Sequence, residues 1–169
     1  MKNIIIRIII SILVILVISA CSEDEESTTI TYTCTGSSSG SGPTIGDVTL
    51  KEATYTQGTN SFTFVNSTSA NHVYSGQSPF CHTIDVSSTT ASMYKTNSAN
   101  TGNATIAGHA FPAYDNVTAY YTIMTFALAT YHMYIYADND SSFYLNGWGY
   151  DSKSKADAVY VLSKLYTKQ

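Results

Sequence analysis

The stretch from Asn116 to Tyr150 limits the possible folds more than any other part of this chain. Residues 117–128 (V-T-A-Y-Y-T-I-M-T-F-A-L) and 130–137 (T-Y-H-M-Y-I-Y-A) are dense in β-branched and aromatic side chains, which suit a pleated, half-buried surface. Together they outrun the usual strand length of about 3–10 residues. The chain must therefore bend or reverse between them, and 127–130 is the expected place. A helix over 117–128 is the competing reading, because a short apolar run does not declare its own period. Asp138, Asn139, Asp140 and Ser141 then make a polar turn into 142–150. The spacing Asp138, Asp140, Ser142 is that of a calcium-loop opening. Phe143 stands where such a loop needs Gly, and no closing Glu follows, so a plain turn is expected.

The same grammar runs through the middle of the chain. Segments 48–56, 61–65 and 70–75 have strand composition and are separated by Gln57-Gly58-Thr59-Asn60 and Asn66-Ser67-Thr68-Ser69, the residues hairpin loops use. Segment 80–86 alternates, with His82, Ile84 and Val86 on one face and Cys81, Thr83 and Asp85 on the other. Residues 87–108 are polar and weakly patterned, with Thr105 and Ile106 a short strand, while 29–34 puts Ile30, Tyr32 and Cys34 on one face. Over 154–167 the pattern changes to a helix. Ser154 and Asp157 fit a capping box, Ala158, Val161, Leu162 and Leu165 make one stripe, and Lys164 and Lys168 sit at the end the dipole favours. The predicted fold is therefore mainly β: an antiparallel sandwich or barrel of short strands with one C-terminal α-helix.

Residues 1–20 read as a leader. Lys2 and Arg7 form a basic start, 8–18 an apolar core too short to span a bilayer, and Ser19 and Ala20 a small-residue cleavage site. Ile18-Ser19-Ala20-Cys21 resembles the lipobox of bacterial lipoproteins. The resemblance implies that Cys21 becomes the first mature residue, with a diacylglyceryl thioether and a palmitate-type acyl amide that hold the protein on a membrane without a transmembrane helix. Residues 21–28, with the acidic run Glu23-Asp24-Glu25-Glu26, read as a solvated tether. The same run resembles the surface-export signal of lipoproteins from Bacteroidetes-like bacteria. Ser22 in place of Asp implies the outer membrane, and the export signal would add surface exposure. Residues 29–169 are expected to form a single domain.

Cleavage removes two cations and no acid, so eight basic and 12 acidic residues become six and 12, a formal −6. Nucleic acid is excluded as a partner on that balance. With Cys21 lipidated, Cys34 and Cys81 are an even pair in an oxidising compartment and are expected to form a disulfide, with a copper thiolate of Cys81 and His82 as the alternative. His72, His82, His109 and His132 lack the tight spacing of metal sites, so neither a metal nor another cofactor is expected. The G-x-S-x-G around Ser38 lies in a Gly/Ser connector with no helix pattern after it, and the S-x-x-K strings at Ser92 and Ser152 lack their S-D-N and K-T-G partners. No catalytic residue is assigned. The aromatic cluster is the strongest functional signal, and Tyr134, Tyr136 and Trp148 are expected on one accessible face. The resulting expectation is a membrane-anchored extracytoplasmic lipoprotein that binds a glycan or a protein. The alternatives are a small hydrolase using a His with Asp85 or Asp115, or a metal-binding envelope protein.

Overall fold

Short polar turns cut this chain into strands. The computed structural model describes residues 33–35, 41–51, 54–96, 103–106, 109–112 and 114–169. The leader, Cys21, the acidic run, residues 29–32 and most of the Gly/Ser connector with Ser38 lie outside the described residues. In chain order the strands are β1 (Thr44–Ile45), β2 (Val48–Thr49), β3 (Thr54–Gln57), β4 (Asn60–Asn66), β5 (Ser69–Val73), β6 (Phe80–Thr96), β7 (Asn103–Ile106), β8 (His109–Pro112), β9 (Tyr114–Phe126), β10 (Ala129–Asn139) and β11 (Ser142–Leu145). A single turn of helix α1 (Lys153–Asp157) precedes β12 (Val161–Leu162) and β13 (Lys164–Lys168).

Several turns close as their residues dictate. The Asn66 side-chain oxygen accepts the Thr68 amide N–H at 2.8 Å between β4 and β5, and Asn139 accepts that of Ser141 at 2.9 Å between β10 and β11. Segment 117–137 reverses at Ala127-Leu128, with Ala127 at φ +49°. The helical alternative for 117–128 is excluded by an unbroken antiparallel register from Ala129↔Phe126 to Ile135↔Tyr120.

Eight strands follow one another around a ring in the order β3-β4-β5-β6-β9-β10-β11-β13, and β13 pairs back to β3. Each neighbour is antiparallel, so the fold is a closed up-and-down barrel. The β7–β8 hairpin is inserted between β6 and β9. Closure removes exposed sheet edges. At this strand number the interior is only wide enough to be filled by side chains or to hold one small ligand.

Two expectations are corrected. Residues 87–96 were read as weakly patterned, yet they continue β6 past a register shift between Val86 and Thr90, paired to β9 as far as Thr96↔Tyr114. Ser and Thr dominate there, and only Ala91 and Met93 mark an apolar face, so pairing with the strongly patterned β9 supplies what local periodicity barely signals. The helix expected over 154–167 stops at Asp157. Ser152, not Ser154, is its N-cap residue, without a side-chain cap, and Asp157 bonds Lys153 and Tyr134 instead of closing a capping box. Val161, Leu162, Leu165 and Tyr166 are β-branched or bulky residues, and β13 is the strand that closes the ring between β11 and β3. Tertiary pairing overrides a weak helical stripe.

The barrel interior is one core: Tyr55, Phe62, Phe64, Ile84, Met124, Met133, Ile135, Phe143, Leu145 and Tyr166 are buried in it. The β1–β2 hairpin plugs one end with Ile45 and Leu50. Gly46, at φ +60°, lies so close under the Tyr120 ring that a Cβ there would fall 2.7 Å from its hydroxyl oxygen. A second apolar cluster covers the outer face of β9, β10 and β11, where Ala119, Tyr134 and Tyr144 pack against Met93 of β6, Ala156 of α1 and Leu162 of β12.

Candidate functional site

Opposite the plugged end the barrel is open, and its upper interior is a cavity of about 310 Å³. Alternation along the strands decides what lines it. Phe62 from β4, His72 from β5, Phe80 and His82 from β6, Met124 and Phe126 from β9, and Tyr131 and Met133 from β10 point in, together with Leu145 and Tyr166. Tyr74, Gln77 and Trp148 stand at the rim. The lining is almost entirely aromatic or thioether, and none of these residues is a carboxylate or a cation.

The rings form a connected wall. Phe62 stacks on His72 with centroids 4.1 Å apart and planes 5° from parallel, and His72 lies 5.3 Å from His82. His82 approaches Phe126 at 5.7 Å and Tyr131 at 6.1 Å, while Phe126 meets Phe80 edge-on at 4.8 Å. At the rim, Tyr74 packs edge-on against Trp148 at 5.1 Å. Trp148 is 38 % exposed and carries the ammonium of Lys164 over its ring at 4.5 Å from the centroid.

Trp148 is held by its loop. Gly149 at φ +106° leaves no room for a Cβ, which would fall 2.6 Å from that of Tyr131. Buried Asn146 accepts the Tyr134 amide N–H at 2.8 Å and donates to the carbonyl of Ala156 at 3.1 Å, fixing the loop to both β10 and α1. His132 and Tyr150 exchange backbone hydrogen bonds at 2.8 and 3.0 Å, closing the loop's far side.

Burial lowers the pKa of both cavity histidines to about 4, and for His72 repulsion from His82 adds to it. Both imidazoles are therefore neutral at physiological pH. Among the described residues, His72 Nε2, His82 Nδ1 and the Tyr166 hydroxyl have no hydrogen-bond partner. His82 is only 7 % exposed and Tyr166 fully buried. An unmet polar atom of this kind costs about 1–3 kcal/mol, and the three side chains that carry these atoms all belong to the cavity wall, the atoms themselves being buried.

No family model, curated protein or solved structure matches this chain.

The expected trio of Tyr134, Tyr136 and Trp148 does not share a face. Trp148 lines the cavity with Tyr131 and Met133, whereas Tyr134 and Tyr136 alternate to the outside of β10. Tyr134 is 2 % exposed, buried in the outer cluster, and donates its hydroxyl to Asp157 at 2.7 Å. Tyr136 is half-buried, with its hydroxyl on Asp138 at 2.8 Å and the Lys95 ammonium 5.3 Å from its ring. Burial first, then the bond to Asp138, pushes the Tyr136 pKa up to about 12. Alternation puts Tyr134 and Tyr136 on one face of β10, but it does not show that α1 and β12 fold back over that face.

The histidines divide in the same way. His82 faces the cavity while Asp85, three residues on, faces out, and His132 bonds the Tyr121 hydroxyl at 2.5 Å on the outer surface. His109 lies in β8, and its side chain is outside the described residues. No group of three or more His, Cys, Asp or Glu side chains converges among the described residues. Cys34 and Cys81 are bonded, with sulfurs 2.07 Å apart, and the Cys34 amide N–H is accepted by the Asn71 side chain at 2.7 Å.

Sequence reading weighed His72 and His82 as metal ligands and did not single out Tyr74, Phe80 or Phe126. The shared face of His82, Ile84 and Val86 was the available signal, and it marked His82 as inward without showing that His72 of the next strand joins it.

Proposed function

We propose that this protein is a lipid-anchored extracytoplasmic binding protein that holds one small, ring-bearing ligand in the open end of its barrel. The single observation that carries the proposal is the cavity: an aromatic cup of about 310 Å³, at the small end of ligand pockets, with the polar side chains of His72, His82, Tyr131 and Tyr166 among its lining. Apolar walls supply affinity. The volume suits roughly a one- or two-ring molecule. Glycan or protein recognition rested on Tyr134, Tyr136 and Trp148 acting together, and with two of them turned away from the cavity that reading has lost its support.

The lipobox-like Ile18-Ser19-Ala20-Cys21 supports the anchor, and Ser22 with the acidic run supports an outer-membrane, surface-exposed location. The cavity is tested by calorimetric titration of the mature domain with a panel of one- and two-ring aromatic probes, alongside emission from Trp148, the chain's one tryptophan. Saturable one-to-one binding is expected for part of the panel, with a melting temperature that rises as ligand is added. Leu145→Trp should fill the cup and remove that binding. If no probe binds, or if binding survives the filled cup, the proposal fails.

A further inference from the structure

The barrel rim carries a cation that the apolar cup below it does not use. Lys164 is the register partner of Leu145, which lines the cavity, and it shares the inward face of β13 with Tyr166 two residues on. Its side chain therefore rises on the cavity side of the wall, and its ammonium lies over Trp148. Lys51, Lys95, Lys153 and Lys155 are engaged by Asp140, Asp138, Asp157 and Asp151. Among the described residues no carboxylate pairs with Lys164.

Two conditions follow for an occupant. No cation lines the cup, so a negative charge held deep inside would be desolvated without compensation. A positive charge at the rim would meet the Lys164 ammonium, and no carboxylate of the cavity lining would offset that repulsion. Inside, the walls ask for a flat body that can lie among Phe62, Phe126 and Tyr131, beside the imidazoles of His72 and His82.

We propose that the ligand is a planar aromatic acid of one or two rings. It inserts ring-first with a polar ring atom toward His72 and His82, and its carboxylate stays at the rim on Lys164. This inference rests on the cavity reading above and adds the ligand's charge, orientation and selecting residue. It also makes Lys164 a specificity residue, because the neutral and acidic forms of one scaffold share every other contact.

The test uses matched probes: indole-3-acetate, indole-3-acetamide and tryptamine, with the corresponding phenyl series, titrated into the mature domain by calorimetry. The acid is expected to bind about tenfold tighter than the amide, with the amine weakest, and the acid's advantage should shrink as salt rises. Lys164→Gln should abolish the acid preference while leaving amide affinity within about twofold, and Lys164→Arg should retain it. His82→Phe should weaken acid and amide alike. Equal binding of acid and amide, or an acid preference that survives Lys164→Gln, overturns the proposal while leaving the cavity reading intact. Failure of every probe to bind overturns both.

Discussion

His72 and His82 sit where a proton is expensive, and that makes the domain acid-sensitive in a defined window. Each binds its proton with a pKa of about 4 in the folded chain against the ordinary 6.5 of an imidazole, through burial first and, for His72, the neighbouring His82. Between those two pH values the unfolded chain holds the more protons. Stability therefore rises with pH across the window, is complete above about 6.5, and is lost as pH falls toward about 4. Each unit of depression is worth about 1.4 kcal/mol of linkage. The melting temperature is expected to drop by several degrees between pH 7 and pH 4.5, and His82→Phe should flatten that slope by about half. An unchanged slope in the variant would show that His82 is not the group titrating. The carboxylates of Asp140, Asp151 and Asp157, held low chiefly by lysine hydrogen bonds, lose their contribution only below 3.8, so they do not blur the window. At this scale the sequence was legible in part. Alternation marked His82 as inward, but depressed basicity comes chiefly from burial among rings that several strands supply, which no single strand encodes.

Between elements, the least regular contact is the most informative. The α1–β12 segment is not a terminal helix laid on a sheet. It is a flap that seals Tyr134 and Tyr144 against Met93 and Ala119, held by Leu162 and Ala156 at no exposure and by Asn146 reaching to the Ala156 carbonyl. Leu162→Ala is expected to cost about 2–5 kcal/mol, the range for emptying a core leucine site. Because the flap lies across the wall from the cavity, ligand affinity should change little. Chemical denaturation of the variant reads the first quantity and calorimetry the second, and a loss of affinity equal to the loss of stability would mean that the flap and the cup are coupled. The turns and the β-rich class were readable because Asn, Gly and alternating rings act locally, whereas the reversal after Phe126 was expected only because the two segments together outrun one strand. The second half of β6 and the whole of β13 were not readable, because the first is largely polar and the second carries a helical stripe. Their strand state is set by β9, β11 and β3, which lie far away in sequence.

For the whole molecule, the proposed anchor and the barrel meet at one place. Cys21→Ser is expected to release the protein into the soluble fraction and to abolish labelling by an alkyne fatty acid, and unchanged membrane partitioning of that variant would remove the lipid from the account. The barrel's end of the connection is the disulfide. Cys81 lies between Phe80 and His82, both cavity residues, so Cys34 is fastened to the outer wall beside the open end. In the proposed anchored form, 13 residue-to-residue steps of chain join the lipidated position to that fastening. At roughly 3.4 Å per residue they reach at most about 45 Å. In the proposed anchored form, one covalent bond beside the mouth thus caps the standoff of the barrel's open end from the bilayer at that length.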